Sequence, residues 1–302
     1  MLDYDALLSD NKLFNTNFKE SKKGRGNLPT AIISSKNTDL ISLSSNGEIA
    51  VVVSSRDPNI KYIDNVDDND TLYYPMIQLS LKIFDTALEL NKSDYPADLT
   101  LIYEEKKEDH KLKIYLSSYL TPEKNRVNKI RAEFLIPVTP EQFAKFLADL
   151  PEQRKIDEAT QEKFGPYAKI NEGKEPSFTI LYLSYKKQMI ASARDLVYIK
   201  TCKMIDEETY ADASISVEHP ELPPIENYVR CENKGGGHYV KLLSGKAEGK
   251  PVSLVKMCSE ADFKANVPEF MAKTFAISSL KGHIEKSIKR MKELYPHVQQ
   301  PQ

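Results

Sequence analysis

With 42 basic and 44 acidic residues among 302, the chain has a formal net charge of −2, which leaves no global field for attracting nucleic acid. Its 40% hydrophobic and 28% charged composition is that of a soluble globular protein of one large or two ordinary domains, able to bury a core without disulfide or metal staples. The cysteines Cys202, Cys231 and Cys258 lie too far apart for a disulfide framework or a zinc knuckle, and no stretch approaches the roughly 18 apolar residues that span a bilayer.

The opening MLDYDALLSDNKLF carries three aspartates and no early basic cluster. Neither a secretory signal nor a mitochondrial presequence is expected, and an intracellular, cytoplasmic location is. Residues 15–39 are polar, with the basic patch SKKGRG at 21–26, and read as an arm. LISLSSNGEIAVVVSS (40–55) places two β-rich runs around Asn46-Gly47, a two-residue hairpin signal. NVDDND (65–70) reads as an acidic linker, which sets a boundary: an extension over 1–70, a domain over 71–294 and a flexible tail over 295–302.

Within the domain, YYPMIQLSLKIFDTALEL (73–90) has the apolar spacing of a helix with a broad buried face. Strands follow at 99–105, 110–119 and 128–137. TPEQFAKFLADL (139–150) opens with a Thr139 cap and Pro140 in the first turn, and Pro151 begins a second short helix. Strands return at 167–173, 177–185, 194–205, 209–218, 227–233, 238–244 and 251–260. A long helix over 267–294 closes the chain, with apolar residues at 270, 271, 275, 277, 280, 284, 288 and 291. Short turns between successive strands favour an antiparallel sheet. A sheet of that length must curl or pack something on its inner face, and the terminal helix is the element with a stripe to offer.

Motifs for covalent chemistry are missing from this pattern. Lys234-Gly235-Gly236-Gly237-His238 lacks a Gly-Lys-Ser/Thr ending and falls between strands, so it reads as a flexible hairpin turn and not a phosphate loop. The five histidines are scattered, no Gly-x-Ser-x-Gly elbow occurs, and no cysteine has a nucleophile's motif neighbours. No catalytic residue, metal or cofactor is expected.

One ordered series is informative. A small-residue loop precedes Arg194-Asp195 and its strand; Ser216-Val217-Glu218-His219-Pro220, Pro223-Pro224 and Tyr228-Val229-Arg230 follow. Upstream stand Asp149, Arg154 and Asp157, and downstream Asp262 leads into Val267-Pro268. Over residues 72–292 this series resembles the START family, the steroidogenic-acute-regulatory-related lipid transfer domains. There are departures: Ile156 stands where the family has tryptophan, and the glycine of the family's Asp-x-x-Gly turn is replaced within Phe263–Asn266. The family's cavity charge pair has its basic member at Lys200, but its acidic member would fall near Ser184, where no carboxylate stands.

The resemblance implies an α+β helix-grip fold: a curved antiparallel sheet wrapped around the C-terminal helix, enclosing an apolar tunnel for one lipid. Leu196, Tyr198 and Lys200 would line it, with Tyr182, Arg131 and Phe275. Alternation independently puts Arg194, Leu196, Tyr198, Lys200 and Cys202 on one strand face. A buried, unpaired Lys200 would be costly, so it reaches solvent, or a ligand oxygen satisfies it, or the face assignment is wrong. Met189 and Ile190, behind Lys186 and Lys187, would form a lid that touches a membrane; the basic face of the final helix is either part of that contact or an ordinary solvated face. Arg194, Asp195 and Arg230 would be structural or gating. The expected function is non-enzymatic binding and transfer of a phospholipid, sterol or related lipid, with peripheral membrane contact. The alternative is a scaffold docked to protein partners through residues 1–70.

Overall fold

The computed structural model describes residues 40–43, 49–52, 59–92, 99–107, 110–156, 161–172, 175–187, 192–243, 251–265 and 267–296. The chain divides into two compact units, 1–57 and 58–302. In the first, β1 (Leu40–Leu43) and β2 (Ile49–Val52) pair antiparallel with Leu40 opposite Val52, the ladder that a hairpin over 40–55 requires. Its Asn46-Gly47 turn lies outside the described residues.

The second unit begins with β3 (Lys61–Ile63) and α1 (Tyr73–Lys92), then β4 (Thr100–Lys107), β5 (His110–Leu120) and β6 (Arg126–Ile136). Two short helices, α2 (Pro140–Ala148) and α3 (Leu150–Ile156), lead to β7 (Gln161–Ile170), β8 (Ser177–Tyr185), β9 (Arg194–Asp206) and β10 (Thr209–Ser216). After β11 (Val229–Arg230), β12 (Glu232–Leu242) and β13 (Ser253–Asp262), the chain closes with α4 (Glu269–Leu294). The strands form one sheet in the order β3-β7-β8-β9-β10-β12-β13-β6-β5-β4, with β11 added beside β9. Only β3 with β7 and β11 with β9 run parallel; the other described pairs in this sheet are antiparallel.

Local chemistry explains the elements. Thr139 Oγ1 accepts from Gln142 N at 3.2 Å while Gln142 Oε1 accepts from Thr139 N at 2.9 Å, a closed capping box that starts α2 after β6. Phe143 and Phe146, three apart, then face the core. The acidic stretch 65–70 is not merely a linker. Asp70 Oδ1 accepts from the backbone of Leu72 at 2.9 Å and Tyr73 at 2.7 Å, so it caps α1. Because β3 joins the sheet ahead of that cap, the compact unit starts before residue 70, where the sequence suggested a boundary. Lys61 of β3 is further held by Glu221 at 2.5 Å.

The two faces of the sheet are covered differently. α1 buries Met76, Ile77, Ile83, Phe84 and Ala87 across β9, β10, β12 and β13. On the opposite, concave face, Ile284, Ile288 and Met291 of α4 join Leu112, Ile114, Phe134, Ile136, Phe143 and Phe146 in one core. The glycine run is a second correction: Gly235, Gly236 and Gly237 lie inside β12, not in a turn. A Cβ on Gly237 would sit 2.0 Å from the Asp212 carbonyl oxygen, and one on Gly236 would sit 2.7 Å from that of Cys258. The glycines let β10, β12 and β13 approach where the sheet bends, helped by a register shift between Asn233 and Gly235.

Candidate functional site

Between the concave face and the helices α2, α3 and α4 lies a cavity of about 280 Å³. Its wall takes Phe134 from β6, Leu181 from β8, Tyr198 from β9, and Phe143, Phe146 and Leu150 from α2 and α3. α4 contributes His283, Ile284, Ser287 and Met291, spaced so that one helix face points inward. Most of the lining surface is apolar, and polar side chains such as Gln153, Asn233 and His283 interrupt it.

Strand alternation sets what reaches it. Asp195, Val197, Ile199 and Thr201 of β9 are buried toward α1, where Thr201 and Ser80 share a hydroxyl–hydroxyl hydrogen bond. Tyr198 and Lys200 consequently face the cavity. Leu196 shares their parity but stays outside the wall, half-buried nearer the strand's start.

Lys200 does have an acidic partner, and it is not on β8. Ser184 sits opposite Asp195. Asp212 on β10, two positions from the residue opposite Lys200, places Oδ2 3.7 Å from the Lys200 Nζ. His238 on β12 lies directly opposite Asp212, with its Nδ1 3.0 Å from Oδ1 and its backbone N–H donating to the same oxygen at 3.2 Å. Burial pushes the Asp212 carboxyl toward protonation, but Lys200 and His238 outweigh it and hold it well below the usual carboxylate range. Burial likewise pulls Lys200 down, and Asp212 overrides it, leaving the ammonium more basic than an ordinary lysine. The carboxylate and ammonium are therefore both charged, with His238 against the carboxylate's other oxygen. The side chain of Lys200 keeps 18% exposure against 3% for Asp212 and lines the cavity. Burial, reinforced by Asp212, also keeps the Tyr198 phenol protonated.

Three expected lining residues are elsewhere. Tyr182 is opposite Val197 and so faces away from the cavity, beside Asp195; its neighbour Leu181 takes the wall position, a one-residue difference that exchanges faces. Arg131 pairs across the ladder with Cys258, whose Sγ accepts from Asn91 of α1 at 3.8 Å, and it is Phe134 that reaches the cavity from β6. Phe275 is 59% exposed on the early turns of α4, where the helix buries only Ala272 and Ala276. Lys186 and Lys187 are exposed; Met189 and Ile190 lie outside the described residues.

Arg194 and Asp195 point to different partners. Asp195 is fully buried and accepts from Arg230 Nε and Nη2, both at 2.9 Å, while Arg230 also donates to the carbonyls of Leu222 and Pro223. Arg194 donates to the Phe263 carbonyl at 3.0 Å and to Ser192 at 2.7 Å, tying the start of β9 to the turn before α4. Sequence reasoning missed Asp212, His238, His283 and Ser287. The local traces were the shared parity of Tyr210, Asp212 and Ser214, and the four-residue spacing of His283 and Ser287.

A large antiparallel sheet that grips a C-terminal helix around a mostly apolar cavity is a helix-grip fold. The family described as START domain matches residues 104–295, well over half of the chain, and the chain belongs to that family. Human StAR-related lipid transfer protein 5 superposes with a TM-score of 0.57 at 17% identity, covering 74% of this chain and 100% of that one. Human STARD10 gives 0.52 at 16% identity over 78% and 86% of the two chains. At such identities the likeness is one of fold. No curated protein matches the sequence.

Proposed function

We propose that the protein binds one lipid molecule in this cavity and carries it between membranes, with no covalent step. The observation that carries this reading is the wall: aromatic and aliphatic side chains from the sheet and three helices give the space a largely apolar surface, with a few polar groups, Lys200 and Asp212 among them, set into it. Such a site holds an apolar body and orients its polar part. START membership supports the reading, as does the fold shared with a protein named for lipid transfer.

An entry route is suggested by the first turns of α4. Phe270 is 71% exposed and stands with Met271, Phe275 and the nearby Phe263 as large apolar side chains facing solvent, with exposed Lys273 among them. Apolar residues beside basic ones suit brief insertion into an anionic interface. Native mass spectrometry of detergent-free protein, followed by extraction, is expected to find one apolar amphiphile per chain, and the protein is expected to accelerate its exchange between vesicles. Empty protein that leaves vesicle exchange unchanged would sink this reading.

A further inference from the structure

The edge strand β3 is fastened to the sheet through one turn, and that turn is built on a buried imidazole. His219 opens the turn after β10, which the Leu222 N–H closes by donating to the His219 carbonyl at 2.9 Å. Inside the turn, the Glu221 carboxylate accepts from Lys61 of β3 at 2.5 Å and from the Tyr167 hydroxyl of β7, so it grips both strands of the parallel pair. His219 orients that grip, because the Glu221 N–H donates to the His219 Nδ1 at 3.2 Å. An Nδ1 that accepts carries no proton, so the ring is neutral and its hydrogen sits on Nε2. The Nε2 atom is buried and has no hydrogen-bond partner among the described residues.

The surroundings oppose a second proton. His219 is 4% exposed, with the rings of Tyr73 from α1 and Tyr167 from β7 at centroid distances of 5.9 and 4.8 Å. Of the charged groups around it, Lys61 of β3 repels an imidazolium and Glu221 attracts one. Tyr73 and Tyr167 stay neutral, their phenols pushed up chiefly by burial, and Asp70 at the start of α1 bears on the Tyr73 phenol. Burial outweighs Glu221 and, with Lys61, keeps the imidazole less basic than an ordinary histidine. A proton on Nδ1 would also face the Glu221 N–H with a second donor, and the bond that sets the turn would be lost. Little else holds β3: it has three residues, and its ion pair with Glu221 is about half open to water, a kind worth little by itself.

We propose that His219 is a pH-sensitive pin: a proton taken up at Nδ1 opens the turn 219–222 and frees β3 from the edge of β7. The device is separate from whatever the cavity binds. Release adds residues 58–63 to the connection between the two compact units, and it leaves the β7 edge from Ala168 to Ile170 open to another strand. Because the closed turn needs the neutral ring, β3 is held above the ordinary histidine pKa of about 6.5 and loosens as pH falls below it. With the closed ring unprotonated, opening rises about tenfold at about pH 5.5. Glu221 stays ionised there, since its hydrogen bonds from Lys61 and Tyr167 hold it below the usual carboxylate range.

Amide hydrogen exchange of the full-length chain at about pH 7.5 and about pH 5.5, corrected for the intrinsic effect of pH, tests this. Protection of residues 61–63 should fall by about three- to tenfold at the lower pH while that of the β5–β6 ladder holds. His219→Gln keeps an acceptor for the Glu221 N–H and does not titrate, so its β3 protection should be equal at both. Should that variant fail to fold, the imidazole nitrogen shifts of the wild type decide. Nδ1 should be unprotonated at the higher pH, and the titration of His219 should coincide with the loss of β3 protection. Protection of β3 that does not change with pH, that falls equally in His219→Gln, or that falls together with the β5–β6 ladder overturns the proposal. So does an Nδ1 that is protonated at the higher pH, or a titration that does not track β3.

Discussion

Arg194 and Asp195 are neighbours in sequence whose side chains serve different parts of the molecule. Asp195 is the charge that could not exist alone: it is fully buried, and the Arg230 guanidinium supplies two parallel hydrogen bonds to it. Removing the cation would strand a buried carboxylate, so Arg230→Met should destabilise the protein by about 3–5 kcal/mol in urea titration. Replacing both partners with apolar residues should recover part of that loss, and a double-mutant cycle measures the coupling. The pairing of Asp195 with Arg230 was only partly legible. Family resemblance marked both residues as structural, but their meeting depends on β11 lying parallel to β9, with Arg230 opposite Asp195. Lys200 shows the same limit more sharply. Its own strand predicts its face, whereas its acidic partner is set by the β9–β10 register, which a reading of one strand at a time does not contain.

At the scale of elements, α4 has two unlike halves. Its apolar stripe is continuous in sequence, yet Ile284, Ile288 and Met291 enter the core with Leu280 packed against it, while Phe270 and Phe275 face solvent. Periodicity reports that a helix has an apolar face and not how far along that face the protein extends. Phe270→Asp with Phe275→Asp should therefore leave the melting temperature within a few degrees, as surface changes do, and reduce vesicle-to-vesicle transfer severalfold. Unaltered transfer would remove these turns from the route. The other half of α4 is latched to α3: Arg290 donates to Glu152 at 2.6 Å, and Lys155 approaches the same carboxylate at 2.5 Å. The hydrogen bond from Arg290, then that from Lys155, lowers the Glu152 pKa to about 2. A carboxyl depressed in the folded state contributes stability above its unfolded value of about 4.3 and loses it as pH falls toward the folded value. Glu152→Gln should thus reduce stability at neutral pH and flatten the acid side of the stability curve between about pH 4 and 2, read by circular dichroism during denaturant titration. The glycine run of β12 is the element that sequence logic read least well. Three glycines signal a turn locally, and only the close approach of the β10 and β13 backbones explains them as strand residues.

For the whole molecule, the unit boundary and the sheet edge make a joint prediction. Deleting residues 1–57 removes one compact unit and leaves the other intact, so the remaining protein should melt close to the full chain. Extending the deletion through residue 70 also removes β3, its Lys61–Glu221 bridge and the Asp70 cap of α1. That longer deletion should lower the melting temperature by several degrees, since a cap alone is worth about 1 kcal/mol; equal melting would show β3 to be dispensable.

The sheet order carries a consequence for biosynthesis. The early strands β4, β5 and β6 form a local meander, but the inner edge of β6 has no neighbour until β13 arrives, joining Ile136 to Ser253 and Val127 to Asp262. The helix that fills the concave face is made later still. Until then an emerging chain presents an open strand edge and an uncovered apolar surface, the two features that invite misassociation. The long-range β6–β13 pairing also predicts slow closure, because the intervening loop must be ordered before the contact is gained. A nascent chain of this protein should therefore stay dependent on chaperone shelter until β13 and α4 have both emerged from the ribosome.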